Sequence, residues 1–190
     1  MKAKDEIEDL PPFLTDYHFS IDMKIKEGET IDLGKGVEWE VHETPGHSQC
    51  HVCYLDRSEG TLAVGDATGF YVPEKDAFWP NYFVSLSDYL DSMRKMAALP
   101  AKRAVLSHNC VLYGNVRDHL SYAMRATEKY HKALLARLEA GESAEKIAID
   151  MARFVDGITD IQPFRVMYDL SKLLIHRSQK ADPNTSFALE

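Results

Sequence analysis

The sequence has no long hydrophobic run, few cysteines and no excess of positive charge, and each absence excludes a class of protein. No apolar stretch approaches the roughly 20 residues that a membrane span needs, so no membrane segment or membrane partner is expected. Residues 1–6 are charged rather than apolar, unlike a secretory signal, which favours a cytoplasmic location. The net charge of −8 argues against a nucleic-acid partner, because phosphate binding needs a basic surface.

The three cysteines are Cys50, Cys53 and Cys110, and this odd number predicts no structural disulfides. Cys50 and Cys53 form a Cys-x-x-Cys, but the residues that follow favour a strand, whereas a redox pair usually opens a helix. Simple packing is therefore the favoured role of these cysteines. The alternative is a metal-sensing cluster of Cys50 and Cys53 with His47 and His51.

The order of the elements predicts a mixed α/β (α+β) part followed by helices. We expect a leader over 1–16, the α/β part over 17–114, a helical region over 115–178 and a tail over 179–190. Apolar alternation and turn residues predict short strands at 19–25, 30–33, 37–42, 51–56, 61–65 and 104–107.

Capping residues and apolar periodicity predict the helices. The first begins at a cap formed by Ser85 or Ser87 and ends by Pro100. Three more follow: from the cap Asn115 to about Ala140, from the cap Ser143 to near Gly157, and from Pro163 onward.

Two histidines and an aspartate follow short apolar segments. His47 follows Thr44-Pro45-Gly46, Asp66 follows the apolar run 62–65, and His108 follows 104–107. Strand ends that lead into loops are where α/β folds usually build their sites. Imidazole and carboxylate groups are common metal ligands, so these three residues are candidates for a metal site.

These segments, in this order and strand context, resemble those of the metallo-β-lactamase superfamily of hydrolases over roughly residues 20–115. The resemblance implies that His47 binds a first metal, that Asp66 bridges two metals and that His108 binds the second. It implies that His51 supports the site through a hydrogen bond without binding metal. The implied fold is an αβ/βα sandwich, and the implied cofactor is zinc, as one or two ions, with iron or manganese as alternatives.

The sequence also departs from the family pattern. The family's opening motif, His-x-His-x-Asp-His, is absent from all 190 residues, and Cys50 and Asn109 stand where glycine is common. By resemblance, then, the chain supplies only the second half of the sandwich, with extra C-terminal helices. The two metal sites would lack the ligands of that motif.

Two functions follow from the resemblance. The first is a hydrolase whose metal-activated water attacks an ester, thioester, lactone or similar bond of a small-molecule substrate, with impaired activity in this chain alone. The alternative is a non-catalytic half-domain. Its exposed sheet face would pair with a second copy, as a homo-oligomer, or with a separate N-terminal half.

Residues 67–84, directly after Asp66, are predicted to form a long aromatic loop. Such residues either pack in the core or form one wall of an apolar substrate pocket. The candidates for a pocket wall are Phe70, Tyr71, Trp79 and Tyr82.

Overall fold

A computed structural model describes residues 21–108, 110–159 and 163–189, and eight strands lie in this part of the chain. They are β1 (Thr30–Asp32), β2 (Glu38–Glu43), β3 (Val52–Asp56), β4 (Thr61–Gly65), β5 (Phe70–Val72), β6 (Ala77–Trp79), β7 (Arg103–Leu106) and β8 (Val111–Tyr113). Six of them form one sheet in the order β1-β2-β3-β4-β7-β8, and β5 and β6 form a separate hairpin.

The directions of the strands determine which strand ends lie at the same edge of the large sheet. β4 and β7 are parallel, and the other neighbouring strands are antiparallel. The carboxyl ends of β4 and β7 therefore lie side by side, and the amino end of β3 lies next to the end of β4.

Four helices lie in the described residues, the first between β6 and β7 and the other three after β8. They are α1 (Leu86–Ala97), α2 (Val116–Glu139), α3 (Ala144–Asp156) and α4 (Phe164–Lys180). Ser85, not Ser87, caps α1, because its side chain accepts a hydrogen bond from the Asp88 N–H. Ser143 caps α3 in the same way by accepting from the Lys146 N–H. None of the described helices is both long and apolar enough to span a membrane.

Side chains from one face of the large sheet and from the helices share one hydrophobic core. Leu55 of β3 pairs with Leu62 of β4, and Leu62 pairs with Ala104 of β7; all three side chains are fully buried. Fully burying a leucine stabilises the fold by about 1.5–3 kcal/mol. The largest fully buried side chains contributed by α1 are Tyr89, Leu90, Met93 and Met96.

The alternate residues of the same strands point to the opposite face, which we call the second sheet face. Val41 on this face is fully buried. Other apolar members are half-buried and lie outside the hydrophobic core formed by the described residues: Trp39, Val52, Tyr54, Ala63 and Val105. Tyr54 pairs with Ala63 and Ala63 with Val105, so the apolar surface continues across three strands.

The strand expected at 19–25 is absent from residues 21–25, the part of this segment that the structure describes. Residues 19 and 20 lie outside the described residues, and 21–25 form no strand. Ile21 and Met23 are exposed, so the alternation in this segment does not reflect burial against the core.

The loop expected over 67–84 instead contains the hairpin of β5 and β6. A 3₁₀ turn over Pro73–Lys75 joins the two strands, and Asp76 closes it with a left-handed backbone (φ 45°). Each strand has only three residues, too few to show the alternation that identifies a strand.

Of the two terminal segments predicted from the sequence, only the C-terminal one lies within the described residues, up to residue 189. The leader expected over 1–16 lies outside the described residues. The tail expected over 179–190 begins while α4 is still helical, since α4 extends to Lys180. Phe187 and Leu189 then pack on the core, and the Arg94 guanidinium of α1 donates to the Ser186 and Ala188 carbonyls.

Candidate functional site

The strand order brings the three candidate ligands to one edge of the large sheet. Asp66 directly follows β4, His108 lies shortly after β7, and His47 lies in the loop between β2 and β3. Because the ends of β4 and β7 and the start of β3 share that edge, residues far apart in sequence become neighbours.

Each oxygen of the Asp66 carboxylate faces one of the two imidazoles. His108 Nε2 lies 2.8 Å from Asp66 Oδ1, within hydrogen-bond distance. His47 Nε2 lies 3.8 Å from Asp66 Oδ2. The side chains of His47, Asp66 and His108 are 25%, 29% and 35% exposed, so solvent and small molecules can reach them.

His51 holds the backbone of Asp66 in place. Its Nε2 accepts a hydrogen bond of 2.9 Å from the Asp66 N–H, so the ring proton belongs on Nδ1. Nδ1 then donates to Thr44 Oγ1 at 2.8 Å. Burial, followed by the charge of His47, lowers the pKa of His51, which keeps the ring neutral for this role.

The loop that carries His47 is fixed against α1. The Gly46 carbonyl accepts from the N–H groups of Val84 and Ser85 at 3.0 and 3.2 Å. The Ser92 hydroxyl donates to the Pro45 carbonyl at 2.7 Å. A helix of the core therefore positions the backbone next to His47.

A cavity of about 320 Å³ opens beside these three side chains. Phe70 and Phe83 connect the cavity wall to the imidazoles: the Phe70 ring centroid lies 5.6 Å from that of His108, and Phe83 lies 5.2 Å from His47. The other lining residues are Trp79, Asn81, Val155, Thr159, Met167 and Leu170.

Two of the four predicted pocket residues, Phe70 and Trp79, line this cavity, and Tyr71 and Tyr82 do not. Tyr71 follows Phe70 in β5 and therefore points to the other side of the strand, where it contacts the ring of Tyr122. Tyr82 is fully buried, and its hydroxyl shares a 2.8 Å hydrogen bond with Ser178 Oγ.

Several lining residues were not predicted from the sequence. Val155 of α3 and Met167 and Leu170 of α4 belong to ordinary apolar stripes, which carry no signal for a site. Phe83 and Asn81 lie in the aromatic segment 67–84, and their position in that segment is the feature of the sequence that could have identified them. Asn81 is a buried polar residue with only 4% of its surface exposed.

The three candidate ligands suit a metal ion in type but not in arrangement. Two imidazoles and a carboxylate are the donors that zinc, iron and manganese accept, and the buried His47 Nδ1 has no hydrogen-bond partner among the described residues. Yet that part of the chain contains no group of three or more His, Cys, Asp or Glu side chains placed to hold one ion. Asp66 and His108 are hydrogen-bonded directly to each other instead.

The cysteines do not form a metal-sensing cluster in the described residues. All three are free thiols. Cys53 is fully buried in the core, and burial raises its pKa to about 12, so it stays protonated. Cys50, in contrast, is exposed.

Comparisons with known proteins place the chain in a family. The sequence profile of the metallo-beta-lactamase superfamily matches residues 8–108, more than half of the chain and a range that includes all three candidate ligands. A hydroxyacylglutathione hydrolase of Polaromonas sp. (strain JS666) is 44% identical over 39 residues, which cover 20% of this chain and 15% of that protein.

Solved structures show the same fold at low sequence identity. A metallo-beta-lactamase family protein from Thermus thermophilus matches 84% of this chain with a TM-score of 0.61 and 22% identity, over 49% of its own length. A beta-lactamase domain protein from Burkholderia ambifaria matches 83% with a TM-score of 0.52 and 20% identity, over 46% of its length. The chain thus spans about half the length of these structures. These structures show the fold, and because the profile matches more than half of the sequence, the chain belongs to the metallo-beta-lactamase superfamily.

Proposed function

We propose that this chain carries part of the catalytic centre of a metal-dependent hydrolase, with His47, Asp66 and His108 as metal ligands. The observation that carries the proposal is the convergence of these three side chains on the wall of one cavity. The proposed cofactor is zinc, with iron or manganese as alternatives. The proposed substrate is a small molecule with an ester, thioester or lactone bond.

The residues of the chain have distinct proposed roles. Asp66 offers one carboxylate oxygen to each side of the site, and His51 fixes its backbone through the 2.9 Å hydrogen bond. His47 and His108 offer Nε2 atoms that face this carboxylate. A metal held by these residues would supply Lewis acidity and would lower the pKa of a water molecule near a carbonyl group.

The short match to the Polaromonas protein supports a hydrolytic reaction on an acyl group. That protein's name describes a hydrolase of an acylated glutathione. Because the match covers only 39 residues, it supports hydrolysis of an acyl group more strongly than it supports glutathione as the thiol of the substrate.

We further propose that the 190 residues alone bind metal weakly. A catalytic zinc usually has three protein ligands, and the described residues hold no such group. The sequence also lacks the His-x-His-x-Asp-His motif that would supply further ligands. Activity of this chain by itself is accordingly expected to be low.

Metal binding is the direct test. We would measure zinc, iron and manganese content, and then zinc affinity by calorimetry, for the purified chain and for His47→Ala, Asp66→Ala and His108→Ala. We expect roughly one zinc ion or fewer per chain and a loss of affinity of at least about tenfold in each variant. His176→Ala, an exposed histidine on α4, is the matched control and is expected to bind as the unchanged chain does.

Two results would contradict the proposal. Equal affinity in all four variants would remove these residues from the metal site. Tight binding of two ions per chain, with rapid turnover, would show a complete site and overturn the expectation of weak binding.

A second candidate function is favoured by the second sheet face. Apart from the fully buried Val41, apolar side chains such as Tyr54 and Val105 are only half-buried there and lie outside the core of the described residues. Apolar surface of this kind usually marks an interface. The chain would then act by pairing, either with another copy of itself or with a separate N-terminal half of the sandwich.

A further inference from the structure

The cavity beside the candidate ligands is apolar on most of its surface. Six of its lining side chains are hydrophobic: Phe70, Trp79, Phe83, Val155, Met167 and Leu170. Asn81 and Thr159 are the neutral polar lining residues, while His47, Asp66 and His108 form the polar end. A ligand in this cavity would therefore be held mainly by hydrophobic contact, with a polar group at the end formed by these three residues.

The charge of the cavity disfavours anionic ligands. No lysine or arginine lines it in the described part of the chain, and Asp66 contributes a carboxylate. The carboxylates of a glutathione moiety would have no cation to pair with there, and an unpaired charge is costly to bury. The volume of about 320 Å³ lies at the small end of ligand pockets.

We propose that this cavity binds an alkyl or acyl chain of the substrate and that it excludes polar, anionic groups such as glutathione. The inference rests on the proposed function for the position of the scissile bond at the polar end. Helices α3 and α4 contribute Val155, Met167 and Leu170 and are the elements that set the length of chain accepted.

Tryptophan fluorescence can measure this binding without metal or turnover. The sequence has two tryptophans, Trp79 in the cavity and Trp39 on the second sheet face. A Trp39→Phe background leaves Trp79 as the reporter. Metal-free protein would be titrated with 1-butanol, 1-hexanol and 1-octanol, and separately with S-methylglutathione.

We expect saturable alkanol binding that tightens about fourfold with each added methylene that the cavity buries. S-methylglutathione is expected to leave the Trp79 signal unchanged. Leu170→Asp, which places a charge in the cavity wall, should weaken 1-octanol binding about tenfold or more. Leu173→Asp is the matched control, because Leu173 lies on the same helix, is 39% exposed and does not line the cavity.

Three results would overturn the inference: S-methylglutathione binding as tightly as 1-octanol, alkanol binding that does not depend on length, or equal weakening in the two aspartate variants. The length dependence is measured in the Trp39→Phe background, so it stands even if Leu170→Asp fails to fold.

Hydrolysis assays separate this inference from the proposed function. Length-dependent alkanol binding, with no hydrolysis of octanoyl esters by the zinc-loaded chain, would support the cavity inference and contradict the hydrolase function alone. Ester hydrolysis without alkanol binding would overturn the inference and leave the hydrolase function standing.

Discussion

Gly46 determines how closely the loop carrying His47 approaches α1. Its φ of 125° is a conformation that side-chain-bearing residues rarely adopt. A Cβ atom at this position would lie 2.4 Å from both Cα and N of Tyr89. These are backbone atoms inside a helix, so they cannot move aside as a flexible side chain would.

Gly46→Ala is therefore expected to lower the free energy of unfolding by roughly 3 kcal/mol, through backbone strain and the clash with α1. Gly141→Ala is the control. Gly141 also has a positive φ (83°), but a Cβ atom there would meet no described atom within 4 Å. It should cost only about 1 kcal/mol. Urea denaturation measures both, and equal losses would show that the contact with Tyr89 does not matter.

The burial of His119 makes the stability of the fold depend on pH. Its ring lies near the rings of Tyr71 and Tyr122, and its buried Nε2 has no hydrogen-bond partner in the described residues. Burial lowers the pKa of His119 to about 4, from an ordinary value near 6.5. Below pH 6.5 the unfolded chain therefore binds a proton that the folded chain does not take up until about pH 4.

This difference favours the unfolded state as the pH falls from about 6.5 to about 4. His119 is expected to remove about 3 kcal/mol of stability over that range, and none above it. His119→Phe should flatten the dependence of the unfolding free energy on pH by that amount. His176→Phe, at an exposed position, should leave the slope unchanged. Parallel slopes for His119→Phe and the unchanged chain would contradict this account.

At the scale of elements, the N-caps of α2 and α3 differ in what their side chains do. Ser143 accepts a hydrogen bond from the Lys146 N–H at the start of α3. Asn115 occupies the cap position of α2, but its side chain makes no capping hydrogen bond. Ser143→Ala is expected to cost about 1 kcal/mol of unfolding free energy, and Asn115→Ala a few tenths of that. Thermal and urea unfolding would compare them, and a larger loss for Asn115→Ala would reverse the assignment.

The helices could be predicted from the sequence because their signals are local. Caps such as Ser85 and Ser143, and apolar residues at helical spacing, lie within the segment that they define. The hairpin of β5 and β6 has no such signal. Phe78 of β6 packs against Tyr122 of α2, so part of what holds the hairpin comes from a helix far along the chain.

The candidate ligands likewise had local signals in the sequence, whereas the cavity wall did not. His47, Asp66 and His108 could be predicted as candidates because each lies close to the end of an apolar segment. The cavity wall could not, since Val155, Met167 and Leu170 come from helices that the topology brings to the site. The alternation of apolar and polar residues also predicted a strand at 19–25. Residues 21–25 form no strand, and Ile21 and Met23 are exposed.

At the scale of the whole molecule, the two faces of the large sheet differ in burial. One face shares a hydrophobic core with the helices and contains fully buried residues such as Leu55 and Leu62. On the second sheet face, Tyr54 and Val105 remain half-buried. The Trp39 and Tyr54 rings contact each other edge-on at 6.2 Å, which leaves a continuous aromatic and aliphatic surface. Covering it would add hydrophobic stabilisation in proportion to the area removed from water.

Pairing of two copies through this surface predicts a concentration-dependent oligomer. Light scattering after size-exclusion chromatography should show a dimer or larger species at micromolar concentration. Val105→Lys places an ammonium group at the centre of the second sheet face, between Ala63 and Val111 on the neighbouring strands. Because a charge in an apolar interface is costly to desolvate, this variant should weaken association about tenfold or more.

Val166→Lys is the matched control, since Val166 is 40% exposed on α4, away from the large sheet. It should leave the oligomer intact, and circular dichroism would establish that both variants fold. A monomeric unchanged chain at all concentrations would rule out self-pairing, whereas equal dissociation in the two variants would place the interface elsewhere. Dissociation in Val105→Lys alone would instead identify the second sheet face as the surface through which the chain associates.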